Sequence, residues 1–522
     1  METFRRYPAG VQDFEKIRTE GFVYVDKTRY VYEMANRFGD AIFLSRPRRF
    51  GKSLLCSTLK YYFQGRKDLF QGLAIEQLET RWTQYPVLHF DISRAKRDAV
   101  NDVRKALSLL LSEYEAIYGQ VTGSDNMGDR LQFLIAEAHR KTGNKTVLIF
   151  DEYDSPVLHA IDDYDKMKEI RNIFNEFYGP VKSMAEHLRF VFITGITKFS
   201  QMSIFSSINN LVNISLNKQM EAVCGITAQE LETQFQSEIE NIALQYKCTS
   251  PEALNKLRKQ YDGYHFGPTL TDIYNPFSLL NAFTSEMLRD YWFASATPTA
   301  LLHVLSHYNF SLRDIEEASV LEEDFNQPFD NFDSAVPILY QSGYLTIKDF
   351  DSVDNVYTLG IPNGEVYRGL YRTLMNHYLN RNYSTNSQLL IAVKRAMRND
   401  DINSALTAVQ NYMAALPHHL SNKTEQDFET ILRVLFDGIG IEVDTEVQSA
   451  IGRCDVVIKT QKKIYVLELK IDGNGSVDDA LAQINEKNYL IPFWSDPRQA
   501  VKVGVVLDRD TRTIKQWKVL ES

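Results

Sequence analysis

Two groups of residues in this 522-residue chain have the types and spacing that phosphate chemistry needs. The first is Gly51-Lys52-Ser53, set in residues 41–59, AIFLSRPRRFGKSLLCSTL, behind an apolar run and ahead of a helical pattern. A strand that breaks into such a turn and then into a helix aims backbone N–H groups and a helix N-terminus at a phosphate. Lys52 then reaches the outer phosphates and Ser53 holds Mg²⁺. Gly51 lets the backbone come close, and Arg46, Arg49 and Leu54 complete the expected nucleotide contacts. Where the general pattern has its first glycine this chain has Arg46, so the loop must curl with Pro47 and without the most permissive residue. Arg46, Arg48 and Arg49 crowd the turn, and one of them could touch phosphate or act across a subunit interface, which leaves oligomerisation open.

Further along, residues 146–150 (TVLIF) form an unbroken apolar run that ends in Asp151-Glu152. Such a run suits a central strand buried on both faces, with ligands gathered at its C-terminal edge. Asp151 is the expected metal residue, and Glu152 the group that orients and deprotonates an attacking water. Residues 188–194 (LRFVFIT) repeat the pattern, and Thr194 at their tip is expected to sense the γ-phosphate, with Lys198 as a weaker candidate. An acidic pair before a helix, or a polar residue closing a strand, is also an ordinary cap. The lysine turn and the acidic strand together favour a nucleotide site.

The second group is Glu446, Asp455, Glu468 and Lys470, read in VDTEVQSAIGRCDVVIKTQKKIYVLELK. On adjacent strands Asp455 and Glu468 lie side by side and can hold one or two Mg²⁺ ions, and strand alternation brings Lys470 to the same face. The metal would neutralise a scissile phosphate, while the lysine positions or deprotonates the water or stabilises the transition state. Glu425, or Glu429, from the preceding helix and Gln483 from the following one are auxiliary candidates. Alternating Glu and Lys also describes a solvated edge strand. The neighbouring Gly452-Arg453-Cys454-Asp455 strand, with a hairpin through Gln461-Lys462, makes a nuclease-type site the stronger reading.

The elements that must position these groups alternate. Short strands are expected at 23–26, 41–44, 86–92, 146–150 and 188–194, with helices behind the lysine turn and around 103–118 and 129–139. This order argues for a doubly covered parallel α/β sheet of the ATPase branch. From about 227 to 380 the pattern is mostly helical, and strands near 344–348 and 356–359 fit the wing of a winged-helix module. Residues 381–419 read as a helical connector. The last hundred residues return to a strand meander, a helix and a further strand.

Composition sets bounds. With 44% hydrophobic and 12% aromatic residues the chain has material for several packed domains. The net charge of −10 excludes a uniformly basic nucleic-acid binder, though not a local basic groove. No apolar run has membrane-spanning length and the N-terminus lacks a secretion signal, so a cytoplasmic protein without a membrane partner is expected. Cys56, Cys224, Cys248 and Cys454 show no paired spacing, which argues for buried free thiols and against a zinc or disulfide framework.

With these residues in hand, the chain resembles a bacterial family, common in gut Bacteroidetes, that joins an AAA-ATPase-like domain to a C-terminal PD-(D/E)XK nuclease-superfamily domain. The motifs that carry the resemblance are YPAGVQDF and YVDKT, RPRRFGKS, LIFDEYDSPV, FITGITKFSQMSIFSSINNL, YDGYHFG with YNPFSLLN, and the terminal GRCDVVI, LELK and ALAQINEKNY. In such proteins the arginine-rich loop is usual. The resemblance implies a P-loop NTPase parallel-sheet domain over residues 1–225 and a helical, winged-helix-like region over 226–385. A helical connector over 386–419 then leads to an α/β restriction-endonuclease-like domain over 420–522. It implies that Asp455, Glu468 and Lys470 form the nuclease core, with Gln483 nearby. ATP and Mg²⁺ are the expected cofactors, and nucleic acid, DNA ahead of RNA, the expected partner. The expected function is an ATPase whose nucleotide state controls a metal-dependent nuclease; the alternative is a non-cleaving switch that uses its C-terminal domain as a binding scaffold.

Overall fold

Unbroken runs of Val, Ile, Leu and Phe suit strands covered on both faces. Those in the first two hundred residues pair as parallel neighbours. They are β1 (Ala41–Ser45), β2 (Val87–Asp91), β3 (Thr146–Asp151) and β4 (Leu188–Gly195), joined by the short β5 (Leu211–Asn213). The sheet order is β2-β3-β4-β1-β5, so β4 separates the lysine strand from the acidic one. Every residue of β3 is buried. The computed structural model describes residues 5–197, 210–295, 301, 318–325, 335–379, 383–414, 432, 435–436, 441–449, 452–510 and 513–521. The chain divides into two compact units, Met1–Glu365 and Val366–Ser522.

In the first unit the helix Lys52–Phe63 packs on β2, β3 and β4, and the helices Val100–Tyr118, Met127–Thr142 and Tyr164–Tyr178 pack on one another. Their ends follow their sequence: Asn126 and Asp163 cap two N-termini, and Gly143, left-handed at φ 73°, closes Met127–Thr142. The strand expected at 23–26 does not form. That segment is a connection between the helices Phe14–Thr19 and Thr28–Arg37, with one bridge from Phe22 to Arg6 and the Asp26 side chain spent on the N–H and hydroxyl of Thr28.

Beyond β5 the helices Ala228–Gln234, Gln236–Gln245, Ser250–Tyr261 and Pro276–Ser285 close around Leu231, Phe235, Leu257 and Leu279. Capping boxes start two of them, Thr227 with Glu230 and Thr249 with Glu252. The clip of β6 (Ile226–Thr227) and β7 (Ile273–Tyr274) ties this group together. The expected two-strand wing is a three-stranded antiparallel sheet of β8 (Ser319–Leu321), β9 (Thr346–Asp351) and β10 (Val356–Gly360), ordered β8-β10-β9.

In the second unit, the helices Tyr383–Arg398 and Ile402–Ala414 pair, and five strands follow in sequence order. They are β11 (Glu442–Ser449), β12 (Gly452–Lys459), β13 (Lys463–Ile471), β14 (Gln499–Leu507) and β15 (Ile514–Glu521). Only β13 and β14 are parallel, and the helix Val477–Glu486 makes the crossover between them. The helix expected around 425–436 lies almost wholly outside the described residues. Cys56, Cys224 and Cys454 are buried, Cys248 is partly so, and all four are free thiols. No helix among the described residues is long and apolar enough to cross a membrane.

Candidate active sites

Parallel strands bring their C-terminal ends to one edge, where the register sets Ser45 beside Gly195 and Asp91 beside Asp151. The lysine turn leaves that edge from β1. Arg49 (φ 68°) and Gly51 (φ 94°) are both left-handed and flank Phe50, an alternation of the kind that turns successive N–H groups to one side. The helix that follows starts at Lys52. A cleft of about 470 Å³ opens here, walled by Arg48, Arg49 and residues 51–54 of the loop, by Ser93 and Lys96 after β2, and by Glu152 and Ser155 after β3. Its remaining walls are the turn 8–12 and the helix start at Pro276, Phe277 and Leu280. Lys52 is 5% exposed, and its Nζ donates to the carbonyls of Arg46 and Pro47 at 2.9 and 3.0 Å. Those two neutral acceptors hold the ammonium until a stronger, charged acceptor competes for it.

Asp151 is buried, and burial pushes its carboxyl up to about 6, opposed by a hydrogen bond from Ser53 and the charge of Lys52. Its Oδ1 has no hydrogen-bond partner among the described residues. An orphaned carboxylate oxygen beside a serine hydroxyl is a donor set for a hard divalent cation, so Mg²⁺ fits the residues present. Cys56 and His89 stand behind it, their ligand atoms and that of Asp151 within 4.8 Å of one another. Burial raises the Cys56 thiol well above its ordinary value and pulls the His89 imidazole down to about 4, so neither group is charged here near neutrality.

Glu152 lines the cleft in a left-handed conformation, φ 48°, which a residue with a Cβ adopts only when its surroundings impose it. The surroundings do so through the two residues after it. The Tyr153 N–H bonds to the Thr194 carbonyl (3.1 Å) and its phenol to the Thr197 carbonyl (2.8 Å). Asp154 Oδ2 accepts from the N–H groups of Ile196 and Thr197 and from the Thr197 hydroxyl, at 2.9, 2.6 and 2.7 Å. The acidic turn is thus bolted to the end of β4. Gly195 is required there, since a Cβ would lie 2.5 Å from Asp154 Oδ1 and 2.7 Å from the Tyr153 ring. Tyr153 and Asp154 stand in the same LIFDEYDSPV stretch as the acidic pair, yet their type alone does not separate a bracing carboxylate from a cap.

Two residues expected at the nucleotide sit elsewhere. Arg46 is 2% exposed and does not line the cleft. Its guanidinium donates to the carbonyls of Ser45, Ser215 and Met220 at 2.9, 2.8 and 3.1 Å and lies 4.2 Å from the centre of the Phe266 ring. Thr194 is fully buried, and its hydroxyl is donated to the Leu44 carbonyl at 2.8 Å, a bond that seals β4 to β1. Gly51, Lys52, Ser53, Leu54 and Arg49 do line the cleft. Lys198 lies outside the described residues.

In the second unit, β12 and β13 run antiparallel with Val456 opposite Leu467, which carries Asp455 and Glu468 to neighbouring places. Asp455 Oδ2 accepts from the Leu469 N–H at 2.6 Å, and Lys470 Nζ meets Glu468 Oε1 at 2.8 Å. Glu468 is 1% exposed. Burial raises the Asp455 carboxyl above the usual range, against the pull of the Leu469 N–H and the Lys470 charge. Two carboxylates and an ammonium therefore converge, and the two carboxylates are an oxygen donor set that suits a hard divalent cation. Gln483, on the crossover helix, donates to the Tyr489 hydroxyl at 3.2 Å. Burial raises that phenol, and the charges of Glu468 and Asp455 push it the same way. Tyr489 is a partner of Gln483 that the motif reading did not single out. Glu446 lies on β11, and Glu425 is outside the described residues.

Comparisons with known proteins identify the two domains that carry these residues. The family model of a predicted AAA-ATPase matches residues 8–205, and that of the PD-(D/E)XK nuclease superfamily matches residues 423–517. The chain is thus of the class that joins an AAA-ATPase-like domain to a PD-(D/E)XK nuclease-superfamily domain. It is similar to the "Uncharacterized protein in vnfD 5'region" of Azotobacter chroococcum mcd 1, with 30% identity over 525 residues that span 98% of each chain. The chain belongs to that protein's family.

Proposed function

We propose that this protein binds and hydrolyses ATP, and that its nucleotide state controls a metal-dependent nucleic-acid phosphodiesterase in its C-terminal domain. The observation that carries the reading is the pairing of Lys52 and Ser53 with an orphaned, buried Asp151 oxygen at the edge of a β2-β3-β4-β1-β5 sheet. The triphosphate would lie along the loop, drawing Lys52 away from the Arg46 and Pro47 carbonyls. The base would rest against the apolar walls at Pro8, Pro276 and Leu280. Ser53 and Asp151 would hold Mg²⁺, which supplies charge neutralisation on the phosphates when bound. Glu152 orients and deprotonates the water, its position fixed by the brace beneath it.

At the second site Asp455 and Glu468 would hold the metal that polarises the scissile phosphodiester. Lys470, paired with Glu468, places a positive charge where negative charge develops in the transition state. DNA is the substrate favoured over RNA, and the cytoplasm the compartment.

The test is a metal-dependent cleavage assay on single- and double-stranded DNA and RNA, with and without ATP. Glu468→Ala should abolish cleavage and keep ATP binding; cleavage at the wild-type rate would remove the assigned nuclease site. Lys52→Ala should lose ATP affinity and any ATP dependence of cleavage. A wild-type protein that binds ATP and nucleic acid and cuts nothing in any metal would establish the non-cleaving switch in its place.

A further inference from the structure

The sheet carries the phosphate loop, yet residues 215–292 and Gly343 hold it, and each of the five residues 46–50 makes such a contact. Arg46 spends its guanidinium on the Ser215 and Met220 carbonyls and the face of Phe266. Pro47 lies so near Gly343 that a Cβ there would approach its Cβ to 2.6 Å. The Arg48 carbonyl accepts from the indole of Trp292 at 3.0 Å, and the Arg49 guanidinium stands 4.7 Å from the centre of Phe277. Phe50 sets its ring edge-to-face against both Tyr264 (4.7 Å) and Phe266 (5.2 Å), and its carbonyl accepts from Gly225 N–H. The YDGYHFG stretch, which neither site uses, supplies two of these rings.

A glycine-poor loop needs some other device to hold its curl. A buried, forked guanidinium bonded to fixed carbonyls is such a device, and a lysine could not copy its geometry. The same loop carbonyls, of Arg46 and Pro47, also hold Lys52. The cation that a triphosphate would capture is therefore bonded to the very residues that the second half of the unit grips.

We propose that Arg46 is a positioning residue for the phosphate loop, and that residues 215–292, with Gly343, sense a nucleoside triphosphate through it. Capture of Lys52 by phosphate frees the Arg46 and Pro47 carbonyls, the loop resettles, and the change passes to the strip around Met220 and Gly225 and to Tyr264, Phe266 and Trp292. This rests on the ATP reading of the cleft, and the experiment separates the two.

Hydrogen exchange is measured on the full-length wild type with and without Mg-ATP, alongside calorimetric ATP affinity for wild type and Arg46→Lys. Expected are altered exchange over residues 215–225 and 261–267, neither of which lines the phosphate side of the cleft, and an affinity about tenfold weaker in Arg46→Lys, the loss of one to two charge-assisted hydrogen bonds. Wild type that binds Mg-ATP, changes exchange only in residues 8–12 and 51–54, and is matched in affinity by Arg46→Lys overturns the coupling and leaves the ATP site standing. Should Arg46→Lys not fold, the wild-type exchange map decides alone. Wild type that binds no ATP removes the reading of the cleft, and the coupling with it.

Discussion

At the scale of single residues, side chains that touch no ligand fix those that would. Asp154 accepts three hydrogen bonds from residues 196 and 197. Removing it leaves those donors buried without an acceptor, at roughly 1–3 kcal/mol each. Asp154→Ala should therefore keep ATP affinity within a few-fold and lose hydrolysis, because Glu152 no longer has its imposed conformation; parallel binding and turnover measurements check the split. Asp262, 2% exposed and 3.7 Å from Arg258, is pushed up to about 6 by burial. An unfolded aspartate titrates near 4, so between the two values the folded state holds the extra proton. Its stability contribution is complete below pH about 4 and is lost as pH rises through about 6. Asp262→Asn should match wild type near pH 4 and exceed it by roughly 3 kcal/mol at pH 7, which urea unfolding at the two pH values reads. That Lys52 and Ser53 share a cleft with Glu152, and that Asp455, Glu468 and Lys470 converge, was legible in the sequence from strand ends and strand alternation. Arg46 and Thr194 were legible as polar residues near a phosphate and not as inward-facing ones, because side-chain direction in a loop follows from what packs behind it, here Phe266 and the carbonyls of residues 215 and 220.

At the scale of elements, the runs TVLIF and LRFVFIT named their strands because a strand covered on both faces has no alternation to obscure it. The three-residue β5 and β8 carry too little pattern to be read, and β15, with burial on one flank of IKQWKVLE, reads as polar. The segment 23–26 has a strand's composition and no strand beside it, so its pairing was a question of neighbours that the sequence does not contain. Gly504 shows how one element sets another. A Cβ there would lie 2.7 Å from the Val477 carbonyl and 3.0 Å from Leu481, so only glycine lets the crossover helix settle on β14. Gly504→Val should lift that helix, cost about 2 kcal/mol in its unit and misplace Gln483 and Tyr489. Metal-dependent cleavage should fall with it while ATP hydrolysis assayed in the same preparation stays at the wild-type level.

At the scale of the whole molecule, the chain is two units, and a ligand stabilises the unit that binds it. Calorimetric unfolding should show two transitions, and Mg-ATP at a hundred times its dissociation constant should raise that of the first unit by about 2.7 kcal/mol. Lys52→Ala should remove the shift; a shift that survives this substitution would contradict nucleotide binding at the loop. The strand order has a consequence in time. β1 pairs with β4 and β5, so Ala41 waits for Val191 and Leu211 before it has a ladder on either side. On the ribosome, residues 46–187 emerge while the apolar AIFLS edge of β1 has no strand to meet. The phosphate loop is therefore among the earliest segments synthesised and the last to acquire its shape, and truncated chains ending before residue 213 should be unable to retain nucleotide and prone to aggregate.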